Sequence, residues 1–190
     1  MKTFQSILYV LFLGLTLTTT AQKTTAKRID VQKSELTWKG YKIAGQHEGT
    51  INLKSGQLSF EKNKLVSGEF VVDMTSVSAT DVSGKGKEKL DGHLKSEDFF
   101  DVEKFPEATL TFTKAKEISK GNYEITGILI IKGIKQEITF KLAVENNTAS
   151  TTLEIDRTKY DIKYRSGTIF PELADKAIKD NFDITAKLVF

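Results

Sequence analysis

The chain contains no cysteine. That excludes disulfide bonds, and with them lipid attachment at an N-terminal cysteine. Exported domains of under about 80 residues often need disulfides, but a chain about twice that size can bury a sufficient core without them. Histidine is almost as scarce, with only His47 and His93. No local spacing of His, Asp and Glu resembles a catalytic zinc site, so both histidines read as surface or structural groups, and neither a metal nor a cofactor is expected. There is no G-x-S-x-G elbow. Gly84-Lys85-Gly86-Lys87 lacks the spacing and the strand-to-helix setting of a phosphate loop. An excess of one charge is missing too: 28 basic residues face 25 acidic ones, for a net +3. Nucleic-acid binding needs a clustered basic face. The nearest approach, Lys85, Lys87 and Lys89 interrupted by Glu88, reads as a solvated segment, and no nucleic-acid partner is expected.

Long apolar runs are limited to one, from Ile7 to Leu17. It falls short of the roughly 20 apolar residues that span a bilayer. Lys2 precedes it, and Thr19, Thr20 and Ala21 follow it. A positive start, an apolar middle and small residues at the end form the pattern of a secretory signal peptide, with a retained anchor as the alternative. The expectation is a signal peptide over 1–21 and a mature domain over 22–190, periplasmic or secreted, with no integral membrane segment after cleavage. Removing Lys2 leaves 27 basic and 25 acidic residues, a net +2.

What fills the mature chain is alternation. Leu36 and Trp38 lie opposite Glu35, Thr37 and Lys39. Ile51 and Leu53 alternate with Asn52 and Lys54, and Ile138, Phe140, Leu142 and Val144 with Glu137, Thr139, Lys141 and Ala143. A period of two puts one face in a core and the other in water. Turn-forming residues separate the runs at Lys54-Ser55-Gly56, Glu61-Lys62-Asn63, Ser119 to Asn122, Lys132-Gly133 and Asn146-Asn147. Short turns imply antiparallel neighbours. About eight such strands predict an all-β sandwich or up-and-down barrel. Ile134 to Glu145 would extend roughly 35–40 Å at about 3.3 Å per residue, which makes a deep tube. Two segments break the pattern. Gly84 to Lys95 places Leu90 and Leu94 at i, i+4, as in a short amphipathic helix against a barrel mouth. Pro171 to Lys179 reads as a second short helix before the last strand. Alternation alone leaves open whether the inward face is filled by side chains or lines a ligand.

Several stretches carry a specific pattern. They are SELTWKGYKIAGQHEGTINLKSGQL (Ser34 to Leu58), GEFVVDMTSV (Gly68 to Val77), GHLKSEDFFDVEKFPEATLTF (Gly92 to Phe112), YEITGILIIKGIKQEITF (Tyr123 to Phe140) and IDRTKYDIKYRS (Ile155 to Ser166). In this order and spacing the chain resembles the YceI-like family of lipid- and polyisoprenoid-binding proteins. The most specific element is L-x-S-x-D-F-F-D-V-x-x-F-P from Leu94 to Pro106. The second is G-x-L-x-I-K-G from Gly127 to Gly133.

The resemblance implies an extended, eight-stranded antiparallel, lipocalin-like β-barrel with short helical segments near one mouth. It implies an isoprenoid lipid, of quinone or polyprenyl type, bound in the lumen, and it brings no catalytic residues. The inward set expected to meet that lipid is Leu36, Trp38, Ile51, Leu53, Phe70, Val72, Phe112, Ile125, Leu129, Phe140, Leu142, Ile155, Ile184 and Leu188, some of which must seal one end. Asp73, His93, Arg157, Tyr160 and Arg165 are candidates for the mouth and the lipid headgroup. For Arg157 an ion pair within the wall or rim is the alternative, and for Asp73 a turn cap. The expected function is a non-enzymatic carrier or reservoir, monomeric or homodimeric. A filled barrel acting through its surface as a stress-related interaction protein is the second reading, and an enzyme acting on lipid the third.

Overall fold

The computed structural model describes residues 24–190. The expected signal peptide falls outside the described residues. The strands are β1 (Thr24–Arg28), β2 (Glu35–Lys42), β3 (Gly45–Glu61), β4 (Lys64–Ala79), β5 (Glu107–Ser119), β6 (Asn122–Ile131), β7 (Ile134–Glu145), β8 (Thr148–Asp156) and β9 (Ile178–Val189). One helix, α1 (Gly84–Lys95), lies between β4 and β5, and two 3-10 turns, Arg157–Tyr160 and Pro171–Lys176, lie between β8 and β9. All strand pairs are antiparallel. The order β3-β2-β9-β8-β7-β6-β5-β4 is closed by pairing of β3 with β4, which makes an eight-stranded barrel. β1 is a short ninth strand laid along the far half of β3.

Burial follows the alternation. In β6 the residues Tyr123, Ile125, Gly127, Leu129 and Ile131 are buried, and those between them are more exposed. The turns form where turn residues were placed. Lys62, Asn63, Lys132 and Asn146 adopt positive φ, as do Gly121 and Gly133, and the short loops hold neighbouring strands in register.

Lys54-Ser55-Gly56 is different. No turn forms there, and β3 runs unbroken from Gly45 to Glu61 with register shifts between Thr50 and Asn52 and between Leu53 and Ser55. The small residues serve bulges that bend a long strand around the barrel. A Cβ on Gly56 would stand 2.8 Å from Phe70 and 2.9 Å from Ile29, so glycine is required by close approach rather than by a turn. The second expected helix is also corrected. It is a 3-10 turn that ends at Lys176, and Ile178 and Lys179 already belong to β9. Pro171 starts the turn, but Ala174 (φ 47, ψ −118) breaks it.

One end of the barrel is packed solid. Leu58, Leu65 and Ile125 are at most 1% exposed, and Tyr123 is buried beside them. The backbone N–H of Leu65 donates to Tyr123 Oη at 3.4 Å. Phe112 lies over Gly68, where a Cβ would come within 2.5 Å of its ring. The opposite end gathers α1, the turn after it and the segment from Arg157 to Ile178.

Candidate functional site

A cavity of about 170 Å³ runs from the middle of the barrel toward that second end. Its lining comes from the inward positions of every barrel strand, because each strand contributes alternate residues. Thirteen of the fourteen expected inward residues line it: Leu36, Trp38, Ile51, Leu53, Phe70, Val72, Phe112, Leu129, Phe140, Leu142, Ile155, Ile184 and Leu188. Ile125 does not. Fully buried, it belongs to the packed floor. The wall is overwhelmingly hydrocarbon. Among lining residues only Arg157 and Lys179 carry charge, and Lys179 is itself exposed, its ammonium 5.6 Å from the centre of the Tyr41 ring. A lumen of this polarity holds no water firmly, since a water molecule needs two to four polar partners.

The mouth is built by α1 and the turn behind it. Lys87 Nζ donates to Asp91 Oδ2 at 2.6 Å and to the carbonyl of Ala79 at 2.8 Å, and Asp91 accepts the Ala79 N–H at 2.7 Å. These bonds fasten the helix to the end of β4. Burial raises the Asp91 carboxyl, but the bonds from Lys87, Ala79 and Ser78 outweigh it and hold the group below its ordinary range. The chain then reverses: the N–H of Phe100 donates to the carbonyl of Leu94, and that of Val102 to the carbonyl of Lys95. Asp101 takes a left-handed conformation to make the turn, which aspartate tolerates better than most residues. As a result Leu94, Phe99 and Phe100 cap the cavity. The ring of Phe99 packs edge-on against Phe100, and Phe100 edge-on against Phe182.

Arg157 is the polar feature of the lumen. It is 1% exposed. Its Nε donates to the carbonyl of Lys179 at 3.1 Å, Nη1 to that of Ile162 at 2.8 Å and Nη2 to that of Ile178 at 3.1 Å. Asp180 Oδ1 lies 3.6 Å from Nη2, and the guanidinium sits 5.8 Å from the Phe99 ring centre. Burial lowers its pKa, and Asp180 and Asp156 oppose that. The alternative role read for Arg157 is therefore present: it ties the start of β9 to the 3-10 turn. It still lines the cavity beneath the Phe99 cap.

The other headgroup candidates separate. His93 projects from α1 between Phe99 (5.6 Å) and Tyr164 (4.3 Å), and its Nε2 is buried without a hydrogen-bond partner. Tyr160 is 1% exposed, its hydroxyl likewise unpartnered, and burial with a smaller push from Asp156 raises the phenol to about 12. Both stand behind the mouth wall rather than on the lining. Asp73 does not belong to the mouth. Its Oδ1 accepts the N–H and the hydroxyl of Thr75 inside β4, beside the register shift against β3, so it braces a bulge in a continuous strand rather than capping a turn at a strand end, and it lies on a surface fissure with Asn52, Lys54 and Glu107. Arg165 is exposed, its guanidinium over the Tyr164 ring at 5.4 Å. Periodicity selected the strand positions well. It missed Leu94, Phe99 and Phe100 because they follow no strand period, although they fall in the motif segment.

Among the described residues no group of three or more His, Cys, Asp and Glu is placed to hold a metal ion. No helix there is long and apolar enough to cross a membrane.

The comparisons agree with this architecture. A profile of the YceI-like domain matches residues 28–190. The chain belongs to the YceI-like family. Its curated relatives include UPF0312 proteins of Vibrio parahaemolyticus, 31% identical over 96 residues, and of Pseudomonas putida, 29% identical over 93. The matched part covers 50% of this chain and 48% of the Vibrio protein, so the chain spans about half the length of the curated relatives it matches. Among solved structures, BcnA of Burkholderia cenocepacia superimposes with a TM-score of 0.68 at 21% identity, covering 85% of this chain and 99% of BcnA. A polyisoprenoid binding domain from Saccharophagus degradans, implicated in plant cell wall breakdown, gives 0.58 at 13% identity, covering 87% of this chain and 97% of that domain. At these identities the likeness establishes the shared barrel fold.

Proposed function

We propose that this YceI-like protein is a non-enzymatic binding protein that holds a long apolar lipid of isoprenoid type, quinone or polyprenyl, in the barrel. The observation that carries this reading is the cavity itself. It is closed at one end by Leu58, Leu65 and Ile125, walled mostly by aliphatic and aromatic side chains, and its two charged lining residues, Arg157 and Lys179, lie near the mouth. An apolar tail fits such a lumen because it leaves water without needing a hydrogen bond. Burying ~500 Å² would yield about 12 kcal/mol gross at ~25 cal/mol per Å², and immobilisation takes back several kcal/mol. The binding of a polyisoprenoid by the related Saccharophagus domain supports the same ligand class. Arg157, with His93 and Tyr160 behind it, is the proposed headgroup end. An enzyme would converge titratable groups on the substrate, and this lining has no Asp, Glu, His, Ser or Cys. The signal-like N-terminus supports export to the periplasm or beyond.

Native mass spectrometry with organic extraction, on protein purified from its own host without detergent, tests the proposal. The expected result is a co-purifying apolar chain of defined mass. Empty protein that also refuses added quinones and polyprenols would favour a barrel acting through its surface. Ala186→Phe is a companion variant: it fills the lumen with carbon while keeping it apolar. It should fold and lose the ligand.

A further inference from the structure

The closed cavity is small for a long lipid. An empty apolar cavity of roughly 150 Å³ admits a benzene-sized molecule, and the barrel encloses about 170 Å³. A chain of several isoprene units needs more room, so the wall has to give way somewhere as the lipid enters. Most of the wall resists. Every other neighbouring pair of barrel strands is laddered over at least six residues, and parting a ladder leaves backbone donors and acceptors without their partners. The floor is filled by Leu58, Leu65 and Ile125. At the mouth, the bonds between Lys87, Asp91 and the end of β4 hold α1 down, Phe99 and Phe100 cover the opening, and the guanidinium of Arg157 lies beneath Phe99.

One seam is different. β7 and β8 pair only at Ala143 with Ser150, Val144 with Ala149 and Glu145 with Thr148, all beside the floor. Toward the mouth that ladder stops, although β7 begins at Ile134 and β8 runs on to Asp156. Over the same stretch β7 stays laddered to β6, and β8 to β9. Each strand is therefore held by its other neighbour. Two side-chain bonds span the gap. The Thr151 hydroxyl donates to the carbonyl of Lys141 at 2.6 Å, and Gln136 Nε2 donates to the carbonyl of Lys159 at 3.0 Å. Phe140 and Leu142 on β7 and Thr151, Leu153 and Ile155 on β8 all line the cavity, so the seam opens directly onto the lumen. Ile138, next in the inward row of β7, is only half-buried.

We infer that the seam between β7 and β8 is a lateral portal through which the isoprenoid tail enters the lumen. Opening it on the mouth side of Ala143 and Ser150 breaks no ladder pair. It asks only that the Thr151 and Gln136 side chains exchange their carbonyl partners for water. A tail passing there meets hydrocarbon from Phe140, Leu142, Leu153 and Ile155, whereas a tail passing the mouth must cross the Arg157 guanidinium. Parting the two strands also widens the lumen, which supplies the missing room. The headgroup stays at the Arg157 end while the tail slides in sideways, because the seam reaches the 3-10 turn that Arg157 begins. The portal rests on the lipid-binding reading, and its test separates the two.

The chain has no cysteine and a single tryptophan, Trp38, which lines the cavity. A quinone bearing two isoprene units quenches indole fluorescence, so its uptake is followed at Trp38 by stopped flow. Two cysteine pairs are compared. Thr139→Cys with Glu154→Cys places thiols at outward positions on either side of the seam, and Asp98→Cys with Lys163→Cys places them on the surface fissure beside the mouth. Each pair is bridged by a short bifunctional thiosulfonate that reductant removes. Bridging the seam should slow uptake roughly tenfold or more, reversibly, and bridging the mouth should leave the rate within about twofold. Unslowed uptake through a bridged seam, or equal slowing by both bridges, would overturn the portal and leave the carrier reading intact. Unbridged protein that takes up neither the quinone nor a competing polyprenol would remove the carrier reading, and the portal with it. Hydrogen exchange on the unmodified protein needs no variant. The amides of Glu137 to Lys141 that face β8 should exchange faster than those of β6, and protection equal to that of β6 would overturn the portal by itself.

Discussion

The two ends of the barrel are made from the same alternating strands and behave as opposites. At the floor, Leu58, Leu65, Tyr123 and Ile125 are all buried, none more than 4% exposed. At the mouth, a helix, an aromatic turn and a strap do the covering, and three buried polar atoms there (His93 Nε2, Tyr160 Oη and Asp180 Oδ1) have no hydrogen-bond partner. Buried polar groups are normally satisfied. The floor thus carries stability, and the mouth carries the compromises that a binding site requires. The wall repeats the contrast. β6 and β7 pair along ten residues, whereas β7 and β8 pair at only three, beside the floor. Nearer the mouth the two strands are bridged by the Thr151 hydroxyl donating to the carbonyl of Lys141.

The largest effect is expected midway between the ends. Phe140→Glu puts an unpaired charge into the apolar lumen, and such burial costs more than about 4 kcal/mol or leaves the chain unfolded. Thermal unfolding checks it. A folded variant with unchanged lipid affinity would show that Phe140 faces elsewhere. Next is Arg157→Met at the mouth. The apolar chain keeps the volume but abandons the carbonyls of Ile162, Ile178 and Lys179, together with Asp180, so a loss of about 3–5 kcal/mol is expected. Hydrogen exchange should loosen first around the start of β9. Leu65→Ala at the floor removes packed methyls and should cost about 2–5 kcal/mol while leaving ligand occupancy per folded molecule unchanged. If the floor variant lost ligand and kept stability, the division between the ends would be wrong.

Much of this division was legible in the residues, and the illegible part has a physical reason. Strand alternation is a local signal, so it marked Trp38, Phe70 and Phe140 as inward before any partner was known. It could not place Ile125 below the cavity, because height in a barrel depends on the stagger between strands. Lys54-Ser55-Gly56 read as a turn because small residues serve bulges and turns alike, and the choice was made by Phe70 and Ile29 packing on Gly56. Asp73 read as the end of a strand, but β4 continues to Ala79, because a bulge opposite Thr50 and Asn52 carries the chain past it. Phe99 and Phe100 face inward through backbone bonds made after α1, in a turn that no period of two or 3.6 describes.

The smallest effect tests whether the mouth is the acid-sensitive end. His93 has its pKa lowered, first by burial between Phe99 and Tyr164 and further by Arg165, with Asp98 pulling the other way. The unfolded chain returns the ring to its ordinary value of about 6.5. Below that pH the unfolded state binds more protons than the folded one, so the stability His93 supports is present at neutral pH and declines as pH falls. The floor has no group of this kind: His47, the other histidine, pairs with Asp81 at 2.8 Å on the outer surface. Acidification should therefore speed hydrogen exchange in α1 and the following turn before it touches β6. His93→Phe keeps the aromatic contact and removes the proton, so it should flatten that response and leave neutral-pH exchange nearly unchanged. Exchange that accelerates equally at both ends, or that stays acid-sensitive in the variant, would show that His93 does not set the stability of the mouth.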